Sequence, residues 1–128
     1  MTDPLQELIT ATLLLLGGSL MLIAAIGIVR LPDLLTRMHA TTKAGTLGAA
    51  LTIAAVAVHF ADAAVTARAV AIILFIVLTA PVAAHVIGRA SYFACVSLWQ
   101  GTVKDELREH YDPESHVLYS GLEERDEE

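Results

Sequence analysis

The sequence predicts an all-α integral membrane protein. It should have three transmembrane helices, the N-terminus outside, the C-terminus cytoplasmic, and a short amphipathic helix between spans 1 and 2. Three observations carry that expectation. Hydrophobic residues make up 55% of the 128, yet the formal net charge is −6, a pairing that an evenly mixed soluble domain rarely reaches. The charges are segregated: residues 1–103 hold five basic and four acidic side chains, whereas residues 104–128 hold ten acids against Lys104, Arg108 and Arg125. Finally, residues 8–29, 44–61 and 69–88 carry no charge at all over 22, 18 and 20 positions.

A helix needs roughly 20 mostly apolar residues to cross the hydrocarbon core, so all three runs qualify, the second only just. A bilayer span must satisfy its own backbone hydrogen bonds, and three short spans cannot close a barrel, so the spans should be helices. A soluble core is a poor alternative, because so short a chain leaves almost nothing to bury three such runs. The expected organisation is a membrane domain over residues 1–103, with spans near 6–29, 44–61 and 69–92, followed by an acidic cytoplasmic tail over 104–128. That tail is polar, ends in Glu-Glu-Arg-Asp-Glu-Glu, and has the composition of a partly disordered segment. A nearly neutral, greasy body has no clustered positive surface for nucleic acid and does not suit a compact water-soluble enzyme.

The first span reads as retained. Its leader, Met1 to Glu7, is acidic where a secretory signal is positive, and the apolar stretch is too long for a signal's hydrophobic region. Cys95 is the single cysteine, so neither an internal disulfide nor a thiolate metal cluster is expected. Lys104-Asp105-Glu106-Leu107 spells an ER-retention tetrapeptide but lies inside the chain, where it carries no address. Orientation follows from the basic residues. Placing the loop with Arg30, Arg37 and Lys43 and the C-terminal side inside puts seven of eight in the cytoplasm, leaving only Arg68 out. The positive-inside rule then sets the N-terminus outside. Tyr92 and Trp99 fall where the third helix would leave the membrane, as interfacial aromatics do.

The loop between the first two spans is the most informative segment. Pro32 suits the first turn of a new helix, where its missing N–H has no partner and its φ is already helical. Asp33 would then lie in the positive first turn, with Arg37 four residues on in the favourable acid-before-base order. His39 and Lys43 also stand four residues apart. Leu31, Leu34, Leu35 and Met38 make the apolar side of a short amphipathic helix on the inner membrane surface, feeding the second span. A solvated connector whose charges anchor topology fits these residues equally well.

In the second span Ala44, Gly48 and Thr52 recur every four residues, beside Gly45 and Ala49. Small residues at that spacing let helix backbones approach closely, without saying which partner they meet. In the third span Pro81 removes one backbone hydrogen bond, releases the carbonyl of Val77 and should kink the helix. His85 and Arg89 follow on the same face. A titratable His beside a released carbonyl fits a hydrated ion path; an interfacial His hydrogen-bonded within a bundle is the simpler account. His59, near the outer end of the second span, reads as interfacial. None of the three uncharged runs contains the carboxylate or lysine that a proton or sodium carrier usually keeps at membrane depth. The chain shows no phosphate loop, metal-ligand cluster, or nucleophile with a base, so no cofactor and no enzyme activity are expected. It reads as a component of a larger complex.

Residues 27–33 (Gly-Ile-Val-Arg-Leu-Pro-Asp) and 37–43 (Arg-Met-His-Ala-Thr-Thr-Lys), with Gly45 and Gly48, resemble the signature of the MnhG family, also called PhaG, of subunits of Mrp-type multi-subunit cation/proton antiporters. Residues 81–85 and 89–92 resemble that family's second block, and residues 102–107 its third. The likeness covers roughly residues 8–107; Cys95 stands where a small residue such as Gly is expected, and the acidic end lies outside the pattern. The resemblance implies a small accessory subunit of a bacterial plasma-membrane complex that exchanges cytoplasmic Na+, or in some members K+, for external H+, driven by the proton motive force. Its implied partners are the other antiporter subunits: large ones related to those of respiratory complex I, and further small membrane subunits. Arg30, Pro32, Asp33, Arg37, His39 and Lys43 would form a contact or gating loop. Gly45 and Gly48 would supply close helix packing, and Pro81 and His85 are the candidates for a path-lining element. A standalone homo-oligomeric channel or transporter, or a scaffold protein, are the rival classes.

Overall fold

The computed structural model describes residues 3–94, 96, 98–102, 111, 112 and 115. Most of the acidic tail, Cys95 and the block at 103–107 lie outside the described residues. The chain forms α1 (Pro4–Arg30), α2 (Leu34–Ala40), a π-helical turn (Thr41–Gly45), α3 (Thr46–Phe60) and α4 (Ala63–Phe93). Among the described residues three helices are long and apolar enough to cross a membrane: Pro4–Arg30, Leu34–Phe60 and Ala63–Phe93.

α1 starts where Asp3 accepts a hydrogen bond from the Leu5 amide. It ends at Arg30 because Pro32 forbids helical backbone at the residue before it, and Leu31 is extended at φ −73° and ψ 141°. α2 then begins two residues later than the sequence suggests. Asp33 is its N-cap, accepting from the Thr36 amide at 2.8 Å and also from the Thr36 hydroxyl, and Pro32 sits outside the helix. The carboxylate satisfies an orphan amide, which a proline at the first position cannot do.

The amphipathic helix is present, but it is not set apart from the second span. Ala40, Thr41, Gly45 and Thr46 all keep right-handed helical dihedrals, so Leu34–Phe60 is one unbroken helix of 27 residues. At 1.5 Å per residue α3 alone reaches only about 22 Å, short of the roughly 30 Å hydrocarbon core, whereas the whole helix reaches about 40 Å. The crossing element therefore includes α2, the π turn, His39 and Lys43. Thr41 and Thr42 donate their hydroxyls to the carbonyls of Arg37 and Met38 at 2.9 and 2.8 Å, which supports backbone groups where the ladder changes pitch.

α3 ends at Ala61, which adopts the left-handed conformation at φ 46°. Asp62 then caps α4, accepting from Ala64 and Val65 amides at 2.9 and 3.0 Å. α4 runs helical through Pro81 to Phe93. Its neighbours are α3, α2 and the π turn; α1 packs on α2, the π turn and α3, but not on α4. The helices thus stand in a row with α3 in the middle. Such a row has almost no interior: among the described residues the buried hydrophobic side chains are Ala24, Ala55 and Ala69. Leu15 is 73% and Leu78 69% exposed, as lipid-facing or subunit-facing side chains must be.

The α1–α3 seam is built from small residues. Thr10, Gly17 and Ala24 of α1 are buried at seven-residue intervals, as are Gly48 and Ala55 of α3, the repeat that keeps two helices in register along a left-handed crossing. At the closest point a Cβ on Gly48 would lie 2.7 Å from the Gly17 carbonyl oxygen and 3.0 Å from the Met21 nitrogen. The partner of the small-residue face is therefore α1. At the far end of the seam the Gln6 amide donates to the carbonyls of Val58 and His59 at 2.7 and 2.9 Å, satisfying the last turn of α3.

Candidate functional site

The α3–α4 side of the row opens into a groove of about 870 Å³. One wall is α2, the π turn and the start of α3, through Leu35, Met38, His39, Thr42, Lys43 and Thr46. The other is the second half of α4, through Val77, Ala80, Pro81, Ala84, His85, Gly88 and Arg89, with Tyr92, Phe93 and Tyr111 at one end. The walls run antiparallel. Gly88 keeps them close at the α2 end: a Cβ there would touch Met38 Cε at 3.4 Å and Leu35 Cδ2 at 3.8 Å.

This geometry divides the residues singled out from sequence. His39, Lys43, Pro81 and His85 come together on the groove, although two belong to the first loop and two to the third span. Arg89 joins them, its guanidinium 5.0 Å from the Phe93 ring centroid, a cation–π distance. Gly45 and Gly48 face α1, Gly45 lying against Ala24. Arg30, Pro32, Asp33 and Arg37 are not on the groove; the last two fasten the turn between α1 and α2. Arg37 does not close on Asp33 as the spacing suggested, and its Nε donates to the Leu31 carbonyl at 2.7 Å. The Thr36 hydroxyl, then its amide, hold the Asp33 carboxyl below its ordinary value. Partial burial opposes them, while the Trp99 backbone and the Arg37 charge add smaller lowering effects.

Sequence reasoning missed Gly17, Gln6 and Gly88. Gly17 is recoverable from the seven-residue spacing to Thr10 and Ala24. Gln6 bonds to residues more than fifty positions away, and no local pattern marks it. Gly88 is a lone glycine in a helix, which by itself signals only a close approach.

A family model described as "Na+/H+ antiporter subunit" (PhaG_MnhG_YufB) matches residues 13–92. The chain belongs to this family. The G-type Na(+)/H(+) antiporter subunit of Alkalihalophilus pseudofirmus is 38% identical over 108 residues, covering 83% of this chain and 91% of that protein. Among solved structures, a chain of the membrane-bound sulfane sulfur reductase, an archaeal respiratory membrane complex, superposes with a TM-score of 0.72 at 35% identity. That match covers 80% of this chain and 96% of the other. A chain of the Mrp complex from a Dietzia species has the same fold, with a TM-score of 0.76 at 22% identity over 83% of this chain and 96% of its own. Membership of an antiporter-subunit family and three helices able to span a bilayer make this a multi-pass protein of the plasma membrane.

Proposed function

We propose that this PhaG/MnhG-family chain is a small subunit of a bacterial multi-subunit Na+/H+ antiporter driven by the proton motive force, serving assembly rather than catalysis. The observation that carries the reading is the row of helices without a core. A protein whose middle helix is sandwiched and whose outer faces stay apolar is complete only against lipid and neighbouring membrane subunits, both large and small. In this reading the N-terminus is outside, since that orientation puts seven of eight basic residues toward the cytoplasmic side. Residues 1–103 act as the membrane domain, and the acidic segment 104–128 as a cytoplasmic tail.

Within the complex, Arg30, Pro32, Asp33 and Arg37 form a contact surface at the α1–α2 turn. His39, Lys43, Pro81 and His85 border the cation path from the groove. Lys43 supports that role: it lies about 14 Å into the spanning helix, counted at 1.5 Å per residue from Leu34. Ionisable groups inside spanning helices face a bundle interior or a hydrated cavity far more often than lipid.

The deciding experiment deletes the chain and measures Na+-dependent and K+-dependent proton exchange in everted vesicles, with the full chain restored from a plasmid. Loss of exchange together with loss of the assembled complex on a native gel is expected. Full exchange without the chain would overturn the reading. Exchange rescued only with K+ would make the complex a K+/H+ antiporter, and cation flux through the purified chain alone would make it a standalone transporter.

A further inference from the structure

The groove between α2–α3 and α4 has a composition that the antiporter reading leaves unexplained. Lys43 and Arg89 line it with His39 and His85, and among the described lining residues there is no carboxylate. The Lys43 side chain has no hydrogen bond or ion pair among the described residues. Cations at membrane depth are costly unless water or an anionic group reaches them. Its other lining residues are mostly apolar or small, notably Val77, Ala80 and Ala84. From Val77 to Tyr92 the groove spans about 22 Å along α4.

We propose that the groove is a binding site for one anionic glycerophospholipid, whose phosphodiester lies between Lys43 and Arg89 and whose acyl chain runs along Ala84, Ala80 and Val77. Basic pockets between transmembrane helices take anionic headgroups, and the apolar extension of this one separates a lipid from a bare phosphate ion. Tyr92 and Phe93 flank the headgroup end with interfacial rings. The bound phosphate also sets a negative charge beside Lys43 and Arg89, so the groove ceases to repel a cation travelling beside it. The site stands apart from the antiport reading, because binding is measured without transport.

The test uses the full chain purified in mixed micelles holding equal amounts of phosphatidylglycerol and phosphatidylcholine, with retained lipids counted by native mass spectrometry. The wild-type chain is expected to retain phosphatidylglycerol about thirtyfold over phosphatidylcholine, at roughly 1 kcal/mol for each of the two basic groups. K43Q/R89Q should lose most of that preference, and R68Q, near the other end of α4, should keep it. Ala84→Phe fills the groove without touching a charge and should release both lipids, which covers the case in which the double variant fails to fold. Equal retention of the two lipids by wild type, or an unchanged preference in K43Q/R89Q, would overturn the proposal. A photoreactive residue at Val77 in the whole complex should capture lipid; capture of another subunit's helix would also overturn it.

Discussion

Replacing Gly48 by alanine probes the crossing of α1 and α3 directly. The new methyl group would stand 2.7 Å from the Gly17 carbonyl oxygen, 2.8 Å from Met21 Cγ and 3.0 Å from the Met21 nitrogen. Two of those atoms are backbone and cannot swing away, so α1 must retreat by about 0.7 Å to restore an ordinary contact near 3.4 Å. A gap of that size forfeits about a quarter to a half of each contact's attraction along the seam, and overpacking typically costs about 1–3 kcal/mol. Alanine also gains about 0.5–1 kcal/mol over glycine in any helix interior. Gly18→Ala isolates that gain, because nothing lies within 4 Å of the methyl it would add. The expected result is that G18A resists SDS-induced unfolding, followed by far-UV circular dichroism, slightly better than wild type. G48A should fall below G18A by about 1–3 kcal/mol. Equal stability of the two alanine variants would refute the close crossing.

Other perturbations have equally definite outcomes. Asp33→Ala should cost about 1 kcal/mol through loss of the α2 cap, whereas Asp33→Asn keeps the cap. Because the Asp33 carboxyl is held below its ordinary value of 3.8, its contribution is full above that pH and disappears as pH falls through the lower folded value. Melting curves recorded between pH 2 and 6 should therefore show an acid-side loss in wild type that D33N lacks. Ala61→Gly should stabilise by about 1 kcal/mol by relieving the left-handed backbone at φ 46°, with no change in helix content by circular dichroism. Gln6→Leu should cost about 1 kcal/mol and speed hydrogen exchange at the end of α3, since the carbonyls of Val58 and His59 lose their donor.

Much of this molecule is legible in its residues, and the limits have physical causes. The three apolar runs set the number and order of crossings, because burying a polar backbone in hydrocarbon leaves the chain few choices. The boundary of the second crossing is not legible that way: Lys43 ends the uncharged run, yet the helix continues back to Leu34. A charge interrupts hydropathy without interrupting backbone hydrogen bonding, and the α2 side chains supply the length that α3 lacks. The start of α2 is misplaced for a related reason, since Pro32 and Asp33 are both helix-initiating residues and only geometry decides between them. The groove is half legible. His39 with Lys43, and His85 with Arg89, are visible as pairs four residues apart. That the two pairs face each other depends on the antiparallel packing of α2–α3 and α4, which no local pattern encodes.

The row arrangement has a consequence for how the molecule is made. Each spanning helix packs on the one synthesised immediately before it, and α1 never meets α4. Pairing can then proceed in the order of translation, with short loops to close and no helix held waiting for a distant partner. At about 5–20 residues per second, the first two crossings through Phe60 take on the order of 3–12 seconds to synthesise. The Gly17–Gly48 contact and the Gln6 clasp on α3 then need nothing that is still unmade. The groove is different, because its second wall ends only at Phe93. It is the last feature to close, and it closes in a bilayer where lipid is already at hand.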